Sequence, residues 1–303
     1  MPHDFASWLP SADLLTTDEL IDVIEVAVSQ GIDEIRLTGG EPLLRPDIVE
    51  IVSRINGISN PPKLSMTTNG LALAQLAAPL VDAGLSRINI SLDTLDRERF
   101  KKITFRDRIH DVFAGIDAAR DAGLKPVKIN SVLIRGTNDE EAISLLQWAL
   151  AEGLSLRFIE QMPLDAGGAW SRDAMVTADE IFAQLSTAFA LTPVESRGSS
   201  PAEEFFINGG PATVGIIGSV TRPFCASCDR VRLTSDGQIR ACLFSMVETD
   251  MRAIVRNVEL TTEQKREAMA KAFQATVKAK LPGHGINDPS FIQPTRPMSA
   301  IGG

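Results

Sequence analysis

The sequence predicts an α/β fold, a parallel sheet flanked by helices and followed by a smaller region. Two observations carry this. From about Thr16 to Ile134 an amphipathic helix, a short β-branched strand and a polar turn recur in that order, the pattern of parallel strands joined by helical crossovers. After Pro163 the pattern gives way to turn-rich, strand-like segments that contain every cysteine of the chain: Cys225, Cys228 and Cys242.

The elements follow in order. Thr17-Asp18-Glu19 opens a helix predicted to run to Gln30, with Gly31 as its stop. Residues 34–38 read as a strand closing on Gly39-Gly40-Glu41-Pro42, and a second helix follows through Val49 to Ile55. The next strand is 63–67, ending at Thr68-Asn69-Gly70, and the next helix 72–83 ends at Gly84. Residues 87–92 form a third strand. Two short helices lead past Gly123 to a fourth, 127–132. A helix over 140–151 precedes the fifth strand, 156–160. Beyond Pro163 the sequence predicts a helix over 177–189, antiparallel strands within 197–244, and a last helix over 262–280.

Polar residues gather at the C-terminal ends of these strands: Arg36 with Gly39-Gly40-Glu41, then Thr67-Thr68-Asn69, Ser91 with Asp93, Lys128 with Asn130, and Glu160 with Met162. Each alone is an ordinary turn residue. Their recurrence at five successive strand ends, where α/β sheets and barrels hold ligands, points to a binding protein.

Composition narrows the class. The 303 residues are 44% hydrophobic and 23% charged, as expected of a globular protein, and no apolar run is long enough to span a bilayer. The first residues show no signal peptide, so a cytoplasmic location is expected. A net charge of −9 argues against general nucleic-acid binding but leaves room for a locally basic pocket. The absence of tyrosine argues against a base-stacking platform.

Two residues separate Cys225 from Cys228, and thirteen separate Cys228 from Cys242. The turn signal Thr234-Ser235-Asp236-Gly237 lies midway, so a hairpin can return the third thiol to the first two. Four readings stand open. A structural zinc wants four protein ligands, and no histidine is near in sequence. A disulfide would leave one thiol over. An iron–sulfur cluster on three thiolates would keep one iron open. The thiols can also be unrelated core residues. Arg230 and Arg232 alternate with Val231 and Leu233, which sets both guanidinium groups on one side of a strand.

The segments Arg36-Leu-Thr-Gly-Gly-Glu-Pro-Leu-Leu-Arg45, Thr67-Thr-Asn-Gly70, Asn89-Ile-Ser-Leu-Asp93, the three cysteines, and His284-Gly-Ile-Asn-Asp-Pro-Ser-Phe291 with the ending Gly302-Gly303 resemble the GTP 3′,8-cyclase family of molybdenum cofactor biosynthesis, in the radical SAM superfamily. The resemblance runs along the whole chain. It implies an incomplete radical SAM (TIM-like) barrel over 1–163. A C-terminal α+β extension over 164–303 closes the open side, holds a cluster and GTP, and carries the Gly-Gly tail.

The resemblance further implies a lyase that cyclises GTP to (8S)-3′,8-cyclo-7,8-dihydroguanosine 5′-triphosphate. In the family one 4Fe–4S cluster cleaves S-adenosyl-L-methionine and a second, with an open iron, holds guanine. Carried over by position, Cys225, Cys228 and Cys242 ligate the second cluster. Arg36, Thr67, Lys128, Arg230, Val231 and Arg232 bind GTP, and Gly40, Ser91 and Met162 bind S-adenosyl-L-methionine. Gly302 and Gly303 are the candidate catalytic tail. A cyclic pyranopterin monophosphate synthase is the implied consumer of the product, and a homodimer the assembly to test.

One departure stands out. No cysteine precedes Cys225, so the Cys-x3-Cys-x2-Cys loop of the S-adenosyl-L-methionine-cleaving cluster has no counterpart, nor has the barrel's first strand. Two expectations follow: a full enzyme whose start lies upstream of Met1, or an N-terminally truncated, catalytically incompetent form that binds GTP and one cluster. A third reading, a peptide-modifying radical enzyme, fits less well because such proteins usually carry more C-terminal cysteines.

Overall fold

A computed structural model describes residues 9–164, 170–195, 197–288, 291–294 and 296–301. Gly302 and Gly303 lie outside the described residues. The strands are β1 (Glu34–Leu37), β2 (Lys63–Thr68), β3 (Arg87–Ser91), β4 (Val127–Val132), β5 (Ser155–Ile159), β6 (Leu191–Pro193), β7 (Glu203–Ile207), β8 (Thr213–Ile217), β9 (Arg232–Leu233), β10 (Gln238–Arg240) and β11 (Thr249–Asp250). The helices are α1 (Thr17–Ser29), α2 (Ile48–Asn56), α3 (Leu73–Asp82), α4 (Arg97–Thr104), α5 (Ile109–Asp121), α6 (Ala142–Ala151), α7 (Ala178–Ser186), α8 (Met251–Val255), α9 (Thr262–Lys278) and α10 (Met298–Ile301).

One sheet of eight strands runs in the order β1-β2-β3-β4-β5-β8-β7-β6. Its first six members are parallel, and β7 and β6 return antiparallel. This differs from the expectation of a separate antiparallel region beyond residue 197. Instead β8 pairs parallel with β5 from Leu156↔Val214 to Ile159↔Ile217. Val214 and Ile216 are buried, which suits a central strand rather than a hairpin edge. The true separate sheet is small: β9, β10 and β11, antiparallel.

Side-chain alternation divides the main sheet. Met66, Ile88, Ile90, Ile129, Leu156, Phe158, Val214 and Ile216 turn to the helical side and form the main core with Leu73 and Leu80 of α3, Val112 and Ile116 of α5, and Leu145 and Leu146 of α6. The other face is polar.

Helix α1 serves two cores. Its start is closed by reciprocal hydrogen bonds between Thr16 and Glu19, a capping box. Ile21 and Ile24 enter the main core, while Val23 and Val26 meet Ile239, Met251, Val255, Met269 and Phe273 in a second one. A third apolar group joins Leu164, Met175, Val220, Phe244, Ile286 and Ile301.

Candidate functional site

The polar face of the sheet is read directly from register. Arg36, Ser65 and Arg87 lie side by side across β1–β3. Thr67, Asn89 and Lys128 form the next row, and Ser91, Asn130, Arg157, Gly215 and Glu204 a third. Four cations thus share one face, against Glu34 and Glu204. Glu34 lies 3.0 Å from Arg87 Nη2 and 3.7 Å from Arg36, and Glu204 lies 3.7 Å from Arg157. The Arg87–Glu34 pair is an ion pair without hydrogen-bond alignment, since Arg87 Nη2 is buried and has no acceptor in line.

Gly215 is part of this arrangement. A Cβ there would come 3.0 Å from Arg157 Cγ, so glycine lets the Arg157 side chain cross β8.

The cations feel one another. Burial first, then Arg157, Arg87 and Arg36, pull Lys128 down to about 8, with Glu204 opposing. Burial also lowers Arg36, aided by Arg157, Arg230 and Arg87 and resisted by Glu34. The Arg36 side chain keeps 40% of its surface open while protein atoms ring it, the situation of a cavity wall. Arg232 is pushed down to about 10 by burial and then by Arg230, with Arg36 adding to this and Cys242 and Cys228 opposing. The sheet cations and those of the C-terminal region therefore occupy one electrostatic neighbourhood. Arg230 Nε and Asn130 Oδ1 are buried without a hydrogen-bond partner. Unmet cationic donors beside crowded cations are what a polyanion relieves.

The hairpin expected between Cys228 and Cys242 is present. β9 and β10 pair through Arg232↔Arg240, and the turn closes with Thr234 and Gln238 exchanging hydrogen bonds. Gly237 has φ +82°, which suits glycine there. Val231 and Leu233 pack on the second core, so Arg230 and Arg232 are turned the other way. Arg230 stacks over Phe224 at 4.8 Å and reaches to 3.6 Å from Cys228 Sγ.

At the strand ends, Glu41 holds the Gly39-Gly40 turn in place. Its carboxylate accepts from Leu43 N at 3.1 Å, Thr68 Oγ1 at 2.6 Å and Asn69 N at 2.7 Å, which ties the end of β1 to the end of β2. Burial pushes the Glu41 carboxyl up. Gly39 has φ +123° and nothing within 4 Å of a would-be Cβ, leaving the turn open above Gly40. The Thr67 hydroxyl accepts from Asn89 at 3.1 Å, and Ser91 is exposed at the end of β3. Met162 packs against the third apolar group. Just before it, the fully buried Glu160 accepts from Ala178 N at 2.7 Å, Val220 N at 2.8 Å, Thr221 N at 2.9 Å and the Thr221 hydroxyl. It joins the end of β5 to the start of α7 and to the segment leading to Cys225.

The three cysteines are free and half-buried. Burial, then Cys242 and Cys228, push the Cys225 thiol up. Burial opposes ionisation of Cys228 too, but the Arg230 N–H and guanidinium bring that thiol below its ordinary value. Among the described residues no three His, Cys, Asp or Glu side chains converge tightly enough to hold a single ion. His284 lies beside Cys225, yet both ring nitrogens are engaged. Nδ1 accepts from Ile286 N at 3.1 Å, so Nε2–H donates to the Ser219 carbonyl at 2.9 Å. His284 is thus no fourth ligand. A donor set of three thiols suits a cluster with a thiolate on each of three irons better than one tetrahedral zinc.

Sequence reasoning passed over Arg87 and Arg157 because it looked only at strand ends. Counting back in steps of two from Asn89 and on from Lys128 along each strand, then aligning strands, would have found them.

Comparison with known proteins gives consistent matches. Residues 4–149 match the Radical SAM superfamily model and residues 154–286 the Molybdenum Cofactor Synthesis C model. The GTP 3′,8-cyclase of Streptomyces coelicolor is 53% identical over 306 residues, covering 100% of this chain and 88% of that protein. The GTP 3′,8-cyclase of Mycobacterium sp. (strain KMS) is 48% identical over 305 residues, covering 100% and 86%. Among solved structures, native anSMEcpe with bound AdoMet superposes with a TM-score of 0.55 at 12% identity, over 92% of this chain and 78% of that one, a likeness of fold. With about half its residues shared along its full length with these cyclases, and with a radical SAM α/β fold, the chain belongs to the GTP 3′,8-cyclase family.

Proposed function

We propose that this chain works in molybdenum cofactor biosynthesis as the S-adenosyl-L-methionine-dependent lyase that cyclises GTP to (8S)-3′,8-cyclo-7,8-dihydroguanosine 5′-triphosphate. The observation that carries this reading is the shared cationic neighbourhood of Arg36, Lys128, Arg157, Arg230 and Arg232 inside a chain of net charge −9. A triphosphate offsets that crowding, and Arg230 Nε offers it a donor. Thr67 borders the same face. Val231 turns its side chain away, so it would meet GTP through its main chain.

Cys225, Cys228 and Cys242 would hold a 4Fe–4S cluster; when bound, its open iron supplies a site for guanine. Gly40, Ser91 and Met162 would receive S-adenosyl-L-methionine, since the open turn at Gly39-Gly40 admits a ligand to the main chain. The ligands of a second cluster are not among these 303 residues, because no cysteine precedes Cys225. In this reading 1–163 supplies the first five strands of the barrel, and 164–303 adds β8 to the same sheet and forms the substrate-side extension. GTP comes from the cytoplasm, a cyclic pyranopterin monophosphate synthase takes the product, and the chain pairs as a homodimer.

The test is anaerobic reconstitution followed by calorimetry with GTP. One cluster per chain and GTP binding that is lost in Arg230→Ala support the reading. Extending the chain ahead of Met1 with a family Cys-x3-Cys-x2-Cys segment should then give product from GTP. GTP binding without S-adenosyl-L-methionine cleavage in the extended protein would overturn the catalytic assignment in favour of a GTP- and cluster-binding protein. No GTP binding at all would overturn both.

A further inference from the structure

We infer that Lys280 is a positioning residue of the three-cysteine site, a cationic clamp that fixes the spacing of the Cys228 and Cys242 segments and balances the negative charge gathered between them. This rests on the reading of the three cysteines as cluster ligands.

Lys280 stands just beyond the end of α9. Its Nζ donates to the Arg230 carbonyl at 2.7 Å and to the Ala241 carbonyl at 2.8 Å. Arg230 lies two residues after Cys228, and Ala241 immediately precedes Cys242. The β9–β10 ladder pairs Arg232 with Arg240, so the two carbonyls lie where the hairpin opens toward its cysteines. One ammonium therefore bridges the two diverging arms.

The clamp also references the hairpin to the fold. α9 is anchored by Met269 and Phe273 in the second core, and Arg266 reaches Glu25 of α1 at 2.5 Å. A point charge with several donors suits this task, because carbonyl oxygens from two segments need no planar fork. Ordinary structural lysines lie on the surface; this one is part-buried and bonded to main chain on both sides.

Charge is the second half of the role. The Lys280 ammonium is fixed on the carbonyls of Arg230 and Ala241, two residues from Cys228 and one from Cys242. Three thiolates on a cluster concentrate negative charge, and a fixed cation nearby favours the more negative, reduced state. Arg230 and Arg232 also lie near the thiols, but both are coupled to Arg36 and so are shared with the sheet. Among the described residues, the hydrogen bonds of Lys280 go to the cysteine hairpin.

The experiment compares wild type, Lys280→Met and Lys280→Arg, each reconstituted anaerobically as the full chain. Iron and acid-labile sulfide are measured after challenge with a chelator, and the cluster's midpoint potential by titration monitored with electron paramagnetic resonance. Lys280→Met should lose iron about tenfold more readily, the low end for residues that support metal ligands. Its remaining cluster should have a more negative midpoint potential. Lys280→Arg should keep the wild-type potential while retaining iron less well, because the charge stays and the two-carbonyl geometry changes. Lys280→Gln replaces the methionine variant if that one does not fold.

A potential in Lys280→Met equal to that of wild type would overturn the proposal while leaving the cluster reading intact. A folded wild-type protein that takes up no cluster would overturn the cluster reading and this inference together.

Discussion

Lys128 in the sheet and Cys228 in the C-terminal region are held by different means. Lys128 alternates with Val127 and Ile129, which are buried in the main core, so apolar packing on one face fixes the cation on the other. Cys228 itself is in none of the apolar groups of the described residues, although Val231 and Leu233 after it pack on the second core. Its segment is held by Lys280 on two carbonyls, by Arg230 over Phe224, by the Arg240–Glu248 pair near the cysteines and by the Arg296–Asp236 pair at the turn of the hairpin. Apolar packing is non-directional and tolerates small shifts. Polar ties fix spacing at a few named atoms and fail one at a time. A region that must admit a cluster and a substrate is better served by the second kind.

Three substitutions would break or sharpen this contrast. Phe158→Ala removes a fully buried ring from the main core and should cost about 3–5 kcal/mol in urea unfolding. Because the sheet is continuous, the loss should appear as one cooperative transition. A separate early transition for the sheet alone would contradict that continuity.

Lys128→Met tests the polar face, and its two readouts should move in opposite directions. Losing one charge-assisted contact should weaken GTP binding about 10–100-fold. Stability at pH 7 should rise. The sign follows from linkage: folding lowers the Lys128 value to about 8, so the unfolded chain binds that proton more tightly. The folded protein therefore gains stability as pH climbs from about 8 toward the ordinary lysine value, and below about 8 the charged lysine is a burden. Wild-type GTP affinity should fall as pH rises through about 8, and the fall should be shallower in the methionine variant. Calorimetry from pH 7 to 9 checks both.

Arg296→Gln is the mildest. It breaks a two-armed pair with Asp236, at 3.0 and 2.9 Å, and a contact to Glu248 at 2.9 Å. Burial works against the Asp236 charge, while Arg296 and the Thr234 hydroxyl hold its carboxyl below the usual range. The expected cost is about 1–2 kcal/mol. It should show as faster amide exchange at the 234–238 turn, with β2–β4 unchanged.

Much of the fold was legible because the first five strands and their helices obey local periods of two and 3.6. Thr16 and Glu19 announce α1, and Gly31, Gly84, Gly123 and Gly153 all take positive φ just past a helix, as stops should. The pairing of β8 with β5 was not legible. Ile216 and Ile217 read as a hairpin strand, and nothing local says that the partner is more than fifty residues earlier. Within the site, Arg36 was visible as a cation near the end of β1, whereas Lys128, expected at the C-terminal end of its strand, is the second residue of β4. Arg157 lies in mid-strand, and only the alignment of β5 with β4 sets it beside Asn130. Lys280 was hidden because its partners are main-chain carbonyls, which sequence does not distinguish.

The β5–β8 seam has a consequence for how the protein is made. During synthesis the β5 edge, with Leu156 and Phe158 beside it, stays unpaired until residue 217 has left the ribosome. The two family segments at 4–149 and 154–286 are adjacent in sequence and joined in hydrogen bonding by the β4–β5 ladder, while the β5–β8 seam lies within the second. A nascent chain stalled after β5 presents an open hydrophobic edge, the kind that recruits chaperones or aggregates. Expressing the two halves as separate polypeptides should leave the first half insoluble unless the second is made alongside it.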